Sequence, residues 1–165
     1  MANRGSLYAV PAYDLILGGN TTLAVEEPFL SAGIGSEQFG TGAGTVAGTI
    51  TGAVALTVAQ VSSGYYSANS GLTNRTVTLP TFAALTSSTT GIFPTIGGSL
   101  VVGRRFRFIV TNVGATNNLV VTGNTNVTVK VADTGDATVT PGNTAIVELV
   151  VASATDIHAL VTLYA

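Results

Sequence analysis

The chain has 165 residues, of which only 8% are charged, and its net charge is −2. A pI near 5.1 gives no basic footprint for nucleic acid, and the absence of cysteine excludes a disulfide framework or a thiolate metal site. Hydrophobic residues make up 46%, so the chain is expected to fold, since disordered chains pair low hydrophobicity with high net charge.

The segment from Met1 to Val10 carries one Arg and no apolar core of the kind a signal peptide needs. No run approaches the ~18 apolar residues of a membrane helix. Aromatics, at 7%, are too few for the girdles of a membrane barrel. No membrane partner is expected.

Residues 1–44 are broken every few positions by Pro11, Gly18-Gly19, Pro28, Gly33, Gly35 and the Gly40–Gly44 run. Between the breaks lie Tyr8, Tyr13, Leu15, Ile16, Leu17 and Phe29, large apolar side chains that need a place to bury. The expectation is an extended arm packing on a neighbouring subunit or a shell. The alternative is that these residues begin the same domain as the rest.

From Thr45 to Val58, Val46, Gly48, Ile50, Gly52, Val54, Leu56 and Val58 alternate with Thr and Ala. Period-two alternation is a strand signal. Fourteen residues are long for one strand, so a bend or bulge is expected at Gly48 or Gly52. Ser63-Gly64 and Asn69-Ser70-Gly71 read as turns, and Thr76–Leu79 as a further strand. Pro80–Leu85 is the one helix candidate, with Pro suited to a first turn. Residues 87–98 read as loop.

The remainder alternates strands and turns. Arg105–Val110 places Phe106, Phe108 and Val110 on one face and Arg105 and Arg107 on the other. Strands are expected at 119–121, 127–131, 137–139, 145–151 and 157–164. They are separated by Asn112-Val113-Gly114, Gly123-Asn124, Asp133–Asp136, Pro141-Gly142-Asn143 and Ser153–Asp156. Many short strands with turns every 8–12 residues imply an all-β protein, an antiparallel β-sandwich or jelly-roll-like barrel with one short helix. The division expected is an arm over 1–44 and a β-sandwich domain over 45–165. No tandem repeat is legible.

Chemistry is sparse. His158 is the single histidine and sits in an alternating strand, so it has no second imidazole or thiol with which to build a catalytic or metal site. Glu26 and Glu27 are adjacent and would point to opposite faces of a strand; a glycosidase pair would need a distant acid as partner. Asp133 and Asp136 flank Gly135 without the ligand spacing of an EF-hand, and a solvated hairpin turn is the simpler reading. Gly40–Thr45 has Thr45 where a dinucleotide loop needs its sixth-position glycine, and lacks the preceding strand and following helix. No catalytic residue, metal or cofactor is expected, and the chain reads as a non-enzyme. Arg104, Arg105 and Arg107 hold half of the six basic residues. They are either a docking site for an acidic partner surface or a solvated strand face that keeps an apolar sheet in solution.

A chain this poor in charge leaves strand edges without the Lys and other charges that usually guard them. Apolar patches on such a surface mark interfaces. The composition therefore points to a homo-oligomer, with a trimer favoured.

The stretch from Val77 to Tyr164 resembles a β-sandwich module of structural proteins of tailed bacteriophages and large DNA viruses. The resemblance rests on Thr78-Leu79-Pro80-Thr81, on Val102–Asn112, on Asn118–Gly123, on Val139–Ala145 and on the closing Val161-Thr162-Leu163-Tyr164. It implies a viral structural protein located in the virion. A capsid decoration (cement) protein that bridges capsomers and contacts the major capsid protein is the first expectation. A tail or fibre subunit is the alternative within that class, and a carbohydrate-binding or adhesion module the alternative outside it.

Overall fold

The computed structural model describes residues 37–39, 44–95, 99–131 and 137–164. In chain order these form β1 (Glu37–Phe39), β2 (Thr45–Thr49), β3 (Val54–Ala55), α1 (Val58–Ser62), β4 (Tyr65–Asn69), β5 (Arg75–Thr78), α2 (Phe82–Leu85), β6 (Arg105–Asn112), β7 (Leu119–Thr122), β8 (Val127–Val131), β9 (Thr138–Val139), β10 (Thr144–Val151) and β11 (Ile157–Tyr164). The fold is mostly β, as the alternation implies.

The strands make two sheets. The larger has the order β2-β4-β6-β10-β11-β8, and the smaller β3-β5-β7-β9. β10 occupies one edge of β6, so β1 and β4 share the other, β1 beside Arg105–Arg107 and β4 beside Ile109–Asn112.

Turn spacing implies antiparallel neighbours, and here the structure differs. Both sheets are mixed. β1·β6, β2·β4, β4·β6, β8·β11, β3·β5 and β5·β7 are parallel, while β6·β10, β10·β11 and β7·β9 are antiparallel. The cause is the path of the chain. From β2 to β7 successive strands alternate between the sheets. A strand therefore meets not its sequence neighbour but the one after it, and the two run in the same direction.

This path makes a stack. Tyr65 pairs with Ile109 in the larger sheet and Arg75 with Leu119 in the smaller, in one common register. The same spacing of 44 residues links Thr78 to Thr122 and Asn74 to Asn118 by hydrogen bonds. The segment from β4 to β5 thus lies on the segment from β6 to β7 as one layer on the next. Few residues coincide between the layers (Asn74 with Asn118, Val77 with Val121, Thr78 with Thr122), which is why the sequence shows no tandem repeat.

The alternation from 45 to 58 does not form one strand. Gly48 adopts φ +63, which favours glycine, and the β2·β4 register shifts between Val46 and Thr49. The last residue of that run opens α1 instead. Thr57 accepts from Gln60 N, and the Gln60 side chain accepts from Thr57 N at 2.8 Å. This capping box stabilises a helix start that alternation alone does not reveal. The expected helix near Pro80 is present as α2, with Thr81 as its N-cap. Pro141-Gly142 turns as expected. Gly142 has φ +77 and Asn143 N donates to Thr140 O at 3.1 Å, the geometry of a type II turn.

One apolar cluster takes side chains from both sheets. Phe106, Phe108 and Val110 of β6 meet Ala145, Val147, Leu149 and Val151 of β10 and Ile157, Ala159 and Val161 of β11; Val77, Leu119, Val121 and Val139 come from the smaller sheet. Burying each Val, Leu, Ile or Phe stabilises by roughly 1.5–3 kcal/mol relative to exposure. Asn112, fully buried at the end of β6, donates to Asn117 O at 2.7 Å and Val139 O at 2.9 Å and accepts from Gly114 N at 3.0 Å. Its amide joins the larger sheet to β9 of the smaller one.

Candidate interaction surface

The three candidate arginines do not share a surface. Arg105 and Arg107 stand on the outward face of β6, as alternation requires, while Phe106 and Phe108 point inward. Arg104, one residue before the strand, is 4% exposed. Its guanidinium lies 5.8 Å from the centre of the Phe93 ring and donates to Pro94 O at 3.2 Å. Burial lowers its pKa from the ordinary guanidinium value. Arg104 thus anchors the 93–94 segment from inside, where it offers nothing to a partner. The sequence could not separate it from its neighbours, because its environment is set by Phe93, eleven positions upstream.

Arg105 and Arg107 have an acidic partner within the chain. Glu148 on β10 accepts from Arg105 Nη1 at 3.1 Å and from Arg107 Nε at 3.1 Å, with Arg107 Nη2 at 3.0 Å. Strand register explains the convergence, because Glu148 is the direct neighbour of Arg107. The row continues to Leu160 on β11 and Lys130 on β8. In the next row Arg105 is followed by Val150, His158 and Thr128. The outer face of the larger sheet therefore gathers Arg105, Arg107, Glu148 and Lys130. Leu160 is 40% exposed among these charges. His158 is half-buried on this face, away from any cluster of ligating groups. No group of three His, Cys, Asp or Glu among the described residues could hold a metal, and no described helix is long and apolar enough to cross a membrane.

The strand edges differ in how they are guarded. β8 carries the exposed Lys130, and β3 and β9 are two residues long. Charge, brevity and irregularity are the usual protections of an edge. β2 is five residues long and exposed over Val46–Thr49, with Val46 at 73%. Its protection is the single register shift at Gly48. No charged residue occurs between Glu37 and Arg75. This edge is the surface that sequence reasoning did not single out, although the uncharged run is legible once β2 is seen to end the sheet among the described residues.

A shallow hollow of about 230 Å³ lies between Thr138–Thr140, Asn143-Thr144 and Leu163-Tyr164. Among the described residues no charged side chain lines it.

The arm candidates Tyr8, Tyr13, Leu15, Ile16, Leu17 and Phe29 lie outside the described residues, as do Glu26, Glu27, Asp133 and Asp136. The described part of the 1–44 segment includes β1, whose Glu37, Gln38 and Phe39 pair with Arg105, Phe106 and Arg107 of the same chain. No protein-family model matches the chain, and no curated protein or solved structure matches it either.

Proposed function

We propose that this chain is a non-catalytic structural protein that assembles with copies of itself, as a trimer, into a virus particle. In that role it serves as a decoration (cement) protein on the capsid surface, seated where subunits of the major capsid protein meet. Its action is mechanical: added buried surface joins neighbouring subunits, at about 25 cal/mol per Å² of apolar area. In this reading the two sheets face each other as a sandwich across the shared core, and the arm before β1 reaches beyond it.

The observation that carries the reading is the β2 edge. It is five residues long, exposed and free of charge within a run that has no charged residue from 38 to 74. A monomer leaving such an edge open would be prone to strand addition and aggregation. The small charge complement and the resemblance of residues 77–164 to virion modules add the biological setting. The test is electron microscopy of the native particle with a label on this chain. Density on the capsid surface at regular positions supports the decoration role. Label confined to the tail moves the chain to the tail or fibre class, and label absent from particles rejects the virion reading.

A further inference from the structure

The hollow of about 230 Å³ lies where the start of β10 and the end of β11 in the larger sheet meet β9 of the smaller one. Val139 and Leu163 give it an apolar part, and Thr138, Thr140, Asn143 and Tyr164 add hydroxyls and an amide. Tyr164 is half exposed, at 51%. The polar side is held in place from within. Gly142 N donates to Asn112 O at 2.9 Å and Asn112 N donates to Asn143 O at 3.0 Å, so the end of β6 grips the Pro141-Gly142 turn in both directions. Asn143 Nδ2 donates to Thr140 Oγ1 at 2.7 Å. That bond leaves Asn143 Oδ1 as an acceptor and the Thr140 hydroxyl proton as a donor.

This lining selects a class of ligand. With no charged side chain among the described lining residues, an ionised group would enter without a counter-charge, which argues against nucleotides, phosphosugars and peptide termini. A wholly apolar ligand would cover Asn143 and the threonine hydroxyls with hydrocarbon and leave them unpaired. The volume is below the roughly 300–1,000 Å³ of sites for drug-sized ligands, so it suits a single small ring. A neutral ring with one apolar face and a rim of hydroxyls meets all three conditions, and Tyr164 offers it both an aromatic face and a polar tip.

We propose that this hollow binds one neutral saccharide unit, with the apolar face of the sugar on the Tyr164 ring and its hydroxyls on Asn143 and Thr140. The site goes beyond the assembly reading and does not depend on it.

The experiment follows amide shifts of the isotope-labelled full-length chain by NMR. The probes are D-glucose, D-galactose, D-mannose and N-acetyl-D-glucosamine, each titrated separately, with cyclohexanol as a ring that lacks the hydroxyl rim. The expected result is saturable shifts at 138–144 and 163–164 with at least one sugar, at a Kd of about 1–10 mM. Tyr164→Ala and Asn143→Ala should each weaken that binding by about tenfold or more. If Tyr164→Ala disturbs the spectrum away from the hollow, Asn143→Ala alone carries the test. The proposal is overturned if none of the four sugars gives saturable shifts at these residues, or if the shifts persist unweakened in Asn143→Ala. It is also overturned if cyclohexanol binds as tightly as the best sugar, since the hollow is then only an apolar recess.

Discussion

The hydroxyls of Thr78 and Thr122 lie 3.2 Å apart, although 44 residues separate them in sequence. The pair sits where β5 and β7 run parallel in register, and it marks the stacking of one chain layer on the next. Each hydroxyl occupies the same place in its own layer. Thr78→Val should therefore disturb Thr122 more than it disturbs any residue near 78 in sequence. Methyl and amide shifts in NMR would check this, the largest falling at 120–124.

Asn112 is the polar tie between the sheets. Its amide makes three hydrogen bonds from a fully buried position. Asn112→Ala takes the side-chain donor from Val139 O, leaves Asn117 O with Ser70 Oγ at 2.6 Å, deprives Gly114 N of its acceptor and leaves a small cavity. The expected loss is about 3 kcal/mol, since a buried group deprived of its partner costs about 1–3 kcal/mol. Urea unfolding at constant slope would measure it.

Tyr66 gives the opposite sign. Its ring is fully buried, and its hydroxyl has no hydrogen-bond partner among the described residues. Tyr66→Phe removes an unsatisfied group and keeps the packing, so it should be neutral or stabilise by up to about 1 kcal/mol. Burial also raises the Tyr66 pKa from 10.0. The folded state then holds the phenol proton more tightly than the unfolded state. That contribution to stability is present below pH 10 and is lost as the pH rises above it. Tyr66→Phe should remove this part of the alkaline loss, which paired thermal melts at pH 8 and at about pH 10.5 would show.

Glu148 holds Arg105 and Arg107 together on the outer sheet face. The two arginine side chains are 45% and 30% exposed, so solvent screens the pairs and each contributes little. Glu148→Gln should cost no more than about 1 kcal/mol, and the cost should shrink in 1 M salt. A loss of several kcal/mol that salt does not change would mean the cluster does more than neutralise a sheet face.

Much of the fold is legible in the sequence, and the rest is hidden for definite reasons. β6, β10 and the turn at Pro141-Gly142 follow from alternation and turn chemistry, because each depends on residues adjacent in the chain. The parallel pairing does not follow, since the partner of Arg75 is Leu119 and nothing local records that distance. α1 was concealed by the alternation running through Val58, although Thr57 and Gln60 carry the cap signal. On the surface, the outward facing of Arg105 and Arg107 is readable, but the burial of Arg104 under Phe93 and the convergence on Glu148 are tertiary facts.

The central claim is that the chain assembles with copies of itself. Multi-angle light scattering of the full-length protein at micromolar concentration tests it most directly. The account predicts a single species of three times the 16.5 kDa chain mass. A stable, homogeneous 16.5 kDa monomer would contradict it.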